Sequence, residues 1–187
     1  MFEKAIDGQH DLNSTNMLFL GDYVDRGHFG ISVCVYLMSL KLNYPKTVTM
    51  LRGNHESMSM TEMFTFRNEV LDAYDGDEDI YQGFMEAFDS LQVAAEVNKD
   101  YLCVHGGISP NLKTVEDINA IDRFVEPPLS GLLCDLLWSD PCADSESRRC
   151  GFEENRRREC AWKFGLAPVK KLLKDNKYLS VIRAHEV

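Results

Sequence analysis

Four short apolar-dominated runs, each broken off by glycine, carboxylate, imidazole or guanidinium groups, constrain this chain more than any other feature. They are Met17-Leu18-Phe19-Leu20 before Gly21-Asp22, Val48-Thr49-Met50-Leu51 before Arg52-Gly53-Asn54-His55-Glu56, Tyr101-Leu102-Cys103-Val104 before His105-Gly106-Gly107, and Leu179-Ser180-Val181-Ile182 before Arg183-Ala184-His185-Glu186. Such runs have strand length and fit strands buried on both faces. Between them, apolar residues recur at spacings of three and four: Ile31, Cys34, Val35, Met38 and Leu42, then Met63, Phe66 and Val70, then Phe84 and Phe88. That spacing predicts helices with one apolar face. Thr114 followed by Glu116 and Asp117 predicts a capped helix start, and Asp75-Gly76-Asp77-Glu78-Asp79 predicts the end of one helix and the start of the next. Alternating strands and helices give the α/β class, in which ligands gather beyond the carboxyl ends of strands. All four polar clusters fall there.

At 187 residues, the chain can bury one proper core and is too short for two ordinary domains. Its hydrophobic share of 44% is that of a globular protein, and its net charge of −10 excludes the basic footprint that nucleic-acid binding requires. Phosphate recognition here must be local, through a few placed arginines. No apolar run approaches a membrane span, and the segment from Met1 to Ala5 lacks a signal peptide's apolar stretch. The expectation is a soluble, cytoplasmic protein without membrane contact. Six cysteines, Cys34, Cys103, Cys134, Cys142, Cys150 and Cys160, show no zinc-site spacing and are expected as reduced thiols. Ser139 to Arg149, rich in Asp, Ser, Glu and Arg, is expected as a surface loop.

Asp22, Asp25, Asn54, His55, His105 and His185 place oxygen and imidazole donors at successive strand ends. This mixture suits borderline metals such as zinc, iron or manganese. Arg26 and Arg52 add guanidinium forks that match phosphate oxygens. Metals and arginines in one pocket point to a metallophosphoesterase.

The run Gly21-Asp22-Tyr23-Val24-Asp25-Arg26-Gly27, then Leu51-Arg52-Gly53-Asn54-His55-Glu56, His105-Gly106-Gly107 and Arg183-Ala184-His185, resembles in order the motifs of the phosphoprotein phosphatase family. Tyr44-Pro45-Lys46-Thr47, Thr61-Glu62-Met63-Phe64-Thr65-Phe66 and Asp122-Arg123-Phe124-Val125-Glu126-Pro127-Pro128 resemble its calcineurin catalytic-subunit branch. Cys134-Asp135-Leu136-Leu137-Trp138-Ser139-Asp140-Pro141 is similar to a stretch found more widely in the family. The resemblance implies a metallophosphatase fold, a central β-sandwich of mixed sheets flanked by helices. Residues 1–187 would form a single partial catalytic domain, incomplete at both termini.

By the same resemblance, Asp22 bridges two metal ions, iron and zinc or manganese, and Asn54, His105 and His185 complete the second ion's ligands. A metal-bound hydroxide would attack phosphoserine or phosphothreonine directly, His55 would protonate the leaving oxygen with Asp25 orienting it, and Arg26 and Arg158 would hold the phosphate. Glu159 stands where the family has glycine after the second arginine, and Arg156 or Arg157 are alternatives to Arg158. The family's first motif, Gly-Asp-x-His-Gly, has no copy here; Asp7-Gly8-Gln9-His10 is a scrambled likeness, read as an exposed loop. The first-metal Asp and His ligands are thus missing, so the chain is expected to hold at most one metal tightly, with little activity of its own. Implied partners are phosphoprotein substrates and, through segments absent from this sequence, a calcineurin B-like regulatory subunit and calmodulin. A catalytically inactive fragment acting only through protein binding is the alternative.

Overall fold

The computed structural model describes residues 12–186, so the Asp7–His10 expectation lies outside the described residues. Each of the four apolar runs forms a strand: β1 (Met17–Phe19), β2 (Val48–Met50), β4 (Tyr101–Val104) and β8 (Ser180–Ile182). A fifth, β3 (Ala94–Val97), precedes β4. Strand β1 pairs in parallel with β2, Leu18 opposite Thr49; β4 lies between antiparallel β3 and parallel β8, with Leu102 opposite Val181. A bridge from Leu51 to Gln92 leads from the first sheet towards β3. Because β1 and β2 run together, and β4 and β8 run together, each pair delivers its two following loops at one end. A third sheet is formed by β5 (Asp140–Pro141), β7 (Trp162–Phe164) and β6 (Phe152–Glu154), in that order. Mixed sheets with flanking helices are the architecture expected from the sequence.

The helices are α1 (Gly30–Asn43), α2 (Met58–Met63), α3 (Phe66–Ala73), α4 (Glu78–Asp89), α5 (Val115–Asn119), α6 (Leu132–Trp138) and α7 (Leu166–Asn176). Asp77 caps α4 by accepting from the Asp79 N–H, so the acidic stretch is the helix break its composition predicts. Thr114 and Asp117 form a capping box on α5. The inward faces differ in detail from the spacing. In α1, Cys34 and Leu37 are buried, whereas Val35 and Leu42 face outward. Met63 is exposed because α2 ends there and α3 begins afresh at Phe66, so the two residues share no helix face. Among the described residues, no helix is long and apolar enough to cross a membrane.

Two apolar clusters support these elements. One gathers Leu102 and Val104 of β4 with Leu133, Leu136 and Leu137 of α6 and Leu172 of α7. The other joins Val24 and Cys34 to Phe66, Val70, Tyr81, Met85 and Phe88 of α3 and α4. Phe66 is fully buried, edge-on to Phe84 at 5.2 Å and tilted against Phe88 at 5.8 Å.

The stretch from Ser139 to Arg149 departs from the expected surface loop. Its head is structural, with Ser139, Asp140 and Cys142 buried and Asp140 starting β5, while Ala143 to Glu146 is exposed. Turn hydrogen bonds from Glu146 and Ser147 back to Ala143, and from Cys150 to Glu146, fold it on itself. They bring Cys142 to Cys150, which form a disulfide. That corrects the expectation of six thiols: four, Cys34, Cys103, Cys134 and Cys160, are free. The pairing rests on these local turns, which the polar composition of the stretch left as an undifferentiated loop.

Phe66→Ala should lower unfolding free energy by about 3–5 kcal/mol, through lost burial and the cavity left among Phe84 and Phe88. Urea denaturation measures this, and a loss below about 1 kcal/mol would show that the second cluster collapses without cost.

Candidate metal centre and phosphate cleft

The loops after β1 and β2 touch backbone to backbone, and glycine makes the contact possible. A Cβ on Gly21 would lie 2.5 Å from the Gly53 nitrogen and 2.8 Å from His105 Nδ1, and one on Gly53 would overlap Asp22 Oδ1. Gly21 has φ +100°, a region closed to most side chains. Glu56 locks the junction. Its Oε2 accepts from the N–H groups of Asp22 at 2.7 Å and Gly53 at 2.8 Å, and its Oε1 from Tyr23 at 2.7 Å. The carboxyl is entirely buried; burial and the neighbouring Asp22 charge push its pKa up, against the pull of the Tyr23 and Asp22 amides.

Four donor atoms converge beside this junction. Asn54 Oδ1 lies 2.8 Å from His185 Nδ1 and 3.0 Å from His105 Nε2; the two imidazole nitrogens are 3.2 Å apart, and Asp22 Oδ1 is 3.3 Å from His105 Nε2. His105 Nδ1 bonds to the Leu20 carbonyl at 2.6 Å. A carbonyl only accepts, so Nδ1 carries the proton and Nε2 turns a lone pair to the cluster. The His185 ring stands edge-on to Trp138 at 5.7 Å and to His105 at 5.1 Å. Its buried Nε2 has no hydrogen-bond partner among the described residues. Burial, with His105 and Arg158 nearby, pushes the His185 pKa down to about 3, so the neutral, ligating form prevails.

This donor set fits a divalent cation. Tetrahedral ligands at about 2.1 Å from zinc stand roughly 3.4 Å from one another, close to the spacing observed. Asp22, His105 and His185 offer ligand atoms all within 4.8 Å of one another. Two imidazoles with two oxygens suit zinc, iron or manganese.

Next to these donors, His55 Nδ1 donates to Asp25 Oδ2 at 2.7 Å, with both side chains buried. Asp25 Oδ1 accepts from the N–H groups of Thr65 at 3.1 Å and Phe66 at 2.9 Å, at the start of α3. His55 Nε2 meets Arg26 Nη2 at 2.5 Å, and Phe64 supports both, edge-on to the imidazole and beneath the guanidinium. The His55 N–H donates to Asp22 Oδ1 at 3.2 Å, tying this group to the donor cluster. Asp22, Asp25, Arg26 and His185 all have left-handed backbone, with φ between 58° and 69°. Non-glycine residues rarely take it, and where they do the strain tends to gather at functional sites.

A cleft of about 660 Å³ opens over the assembly, lined by Arg26, Asn54, His55, Arg157, Arg158 and His185, among others. Arg158 lies here through Asp140, whose Oδ2 accepts from Arg158 Nε at 2.9 Å. Glu159 makes no ion pair with Arg158; it turns away with φ 60° to line a separate depression that Arg156 also borders. Arg157 is largely exposed and pairs with Glu186. Arg52 is not a phosphate fork. Its buried guanidinium bonds to Asp89 and to the carbonyls of Glu56, Arg123 and Val125, bracing the loop from within.

Sequence reasoning missed the roles of Glu56 and Asp140. Glu56 directly follows the candidate acid His55 and shows no separate signal. Asp140 had one: an acid held extended before Pro141, next to the apolar run Leu132–Trp138. Replacing Glu56 with Gln puts an amide N–H against backbone N–H groups. Glu56→Gln should cost about 2–3 kcal/mol, because at least one buried amide loses its charged acceptor. Chemical denaturation checks this; a change under about 0.5 kcal/mol would show that the loops hold without the staple.

The chain matches the family described as calcineurin-like phosphoesterase over residues 2–187. It is 49% identical over 178 residues to serine/threonine-protein phosphatase 2B catalytic subunit A1 of Saccharomyces cerevisiae, covering 90% of this chain and 32% of that protein. It is 43% identical over 173 residues to a protein phosphatase 2A catalytic subunit of Dictyostelium discoideum, covering 92% of this chain and 54% of that one. A Saccharomyces cerevisiae serine/threonine phosphatase structure, described as similar to human phosphatase PP5, superimposes with a TM-score of 0.86 at 31% identity, over 100% of this chain and 56% of that one. The chain therefore spans about a third to about half of these relatives. Loops that converge on one donor cluster and a match along nearly the whole sequence lead to one conclusion: the chain belongs to the calcineurin-like phosphoesterase family, among its phosphoprotein phosphatases.

Proposed function

We infer that this chain carries the catalytic cleft of a metal-dependent protein phosphatase that hydrolyses phosphoserine and phosphothreonine esters. Membership of the family implies divalent metal ions. The observation that carries the reading is His55, fixed by Asp25 on one side and touching Arg26 on the other, in the same cleft as the donors Asp22, Asn54, His105 and His185.

A divalent cation bound by those four residues would acidify water and neutralise charge on the phosphoryl group. The chain's own side chains do the rest. Arg26 and Arg158 bind the non-bridging phosphate oxygens, which aligns the ester for in-line displacement. An incoming phosphate draws the Arg26 guanidinium onto its oxygens and frees His55 Nε2. As a water oxygen bonds to phosphorus, the bond to the serine or threonine oxygen breaks and that oxygen takes the proton from His55 Nε2. The proton released by water passes to solvent, and the imidazole is reprotonated from there. Asp25 keeps Nδ1–H in place and so holds the ring with Nε2 towards the cleft. Manganese, zinc and iron all suit this donor set, and the names of the relatives, catalytic subunits, fit assembly with a regulatory partner.

Two variants test the reading in a protein that carries this chain together with a segment supplying the Asp and His of the first metal. His55→Gln should reduce turnover of a phosphoserine peptide by about 100-fold or more while metal content stays unchanged. Near-normal turnover would remove His55 from proton transfer. Arg26→Ala should weaken inhibition by inorganic phosphate by about 10-fold or more, the size of a lost charge-assisted hydrogen bond. Unchanged inhibition would make Arg26 a partner of His55 alone.

A further inference from the structure

Asp140 joins two residues of the cleft, Arg158 and His185, to Asn155 and Arg183 behind them. Its carboxylate is buried, with a side chain 4% exposed. Oδ2 accepts from Asn155 Nδ2 at 2.9 Å and Arg158 Nε at 2.9 Å; Oδ1 accepts from Arg183 Nη2 at 3.2 Å and Arg158 Nη2 at 3.5 Å. The same Oδ1 faces the otherwise partnerless His185 Nε2 at 3.6 Å.

We propose that Asp140 is a positioning residue with two outputs, fixing the tautomer and aim of the metal-binding imidazole of His185 and the orientation of the phosphate-binding Arg158. The inference rests on reading His185 as a ligand. Once a divalent cation takes the lone pair of His185 Nδ1, a neutral ring carries its proton on Nε2, where Asp140 is the facing anion. At 3.6 Å the contact is charge to dipole, about 0.6 Å beyond an ordinary N–H···O bond. It still favours the N–H at that edge over a lone pair. A carboxylate behind a ligating imidazole also raises the basicity of the ligating nitrogen. For Arg158, Asp140 occupies Nε and Nη2 along one edge of the guanidinium, which fixes the plane in which the arginine meets a phosphate. Arg183 and Asn155 hold the carboxylate itself, so its place depends on neither His185 nor Arg158. Removing the charge at position 140 therefore reaches two binding functions at once.

Three measurements test this, the metal titration on this chain and the inhibition and kinetics on a protein that carries it together with a segment supplying the Asp and His of the first metal. Calorimetric titration of metal-free protein with Mn²⁺ should show affinity about 10–100-fold weaker in Asp140→Asn than in the native chain, the usual cost of losing a carboxylate behind a ligand. Inorganic phosphate should inhibit the variant less well, and KM for a phosphoserine peptide should rise more than kcat falls. A merely structural role would lower the melting temperature and leave the affinities of the folded fraction unchanged, which would overturn the proposal. If Asp140→Asn does not fold, Asn155→Ala, which removes one of the groups holding the carboxylate, decides: weaker Mn²⁺ binding together with weaker phosphate inhibition supports the proposal, and unchanged values for both refute it. Failure of the native chain to bind Mn²⁺ would instead count against His185 as a ligand and so against the proposed function itself.

Discussion

The buried carboxylate of Glu56 is the interaction on which the cleft depends. Two strand-end loops approach so closely that only glycine fits between them, and backbone contact of that kind leaves amides with no room for water. Glu56 satisfies three of them from one side chain. A hydrogen bond to a charged acceptor in an enclosed site is strong, and an unmet amide there is costly, so the junction is either complete or absent. Asp22 lies on one side of it, Asn54 and His55 on the other. Holding the amides fixes the separation between the donor cluster and the imidazole beside it.

The same device recurs around the cleft. Asp25 spends one oxygen on His55 and the other on the first amides of α3, which makes the orientation of an imidazole a property of a helix packed through Phe66. Asp140 serves an asparagine and two arginines, and Arg52 uses its guanidinium on carbonyls and on Asp89. The charges of Asp25, Asp140 and Arg52 are buried with partners already in place, the condition under which such groups hold one arrangement. The apolar clusters supply rigidity, and the carboxylates convert it into the placement of individual atoms.

Local pattern carried the strand ends well, because a strand that stops at Gly21-Asp22 or His105-Gly106 changes character within two residues. The α4 and α5 starts were legible for the same reason, as capping is decided within one turn. What could not be read depends on a partner distant in sequence. Arg52 and Arg26 offer the same fork, and only Asp89, far along the chain, turns one of them into a brace. Leu37 replaces Val35 on the inner face of α1 because the helix is apolar nearly all round, so spacing alone does not select a side. Ser139 to Arg149 looks polar throughout, yet Asp140 lies inside because Asn155, Arg158 and Arg183 come to meet it.

The left-handed backbone shared by Asp22, Asp25, Arg26 and His185 sets a rule for altering this cleft. At such positions a side chain contributes chemistry and also tolerates, or resists, a conformation that most residues avoid. Asparagine accepts this conformation about as well as aspartate, so exchanging Asp for Asn at 22 or 25 removes charge and leaves the chain's path unchanged. Alanine removes the group and tightens the local strain, mixing two effects in one measurement. Glycine relaxes the turn and lets the loop wander, and a β-branched residue is the worst fit of all. The backbone has thereby narrowed the set of replacements from which the role of each group can be cleanly read.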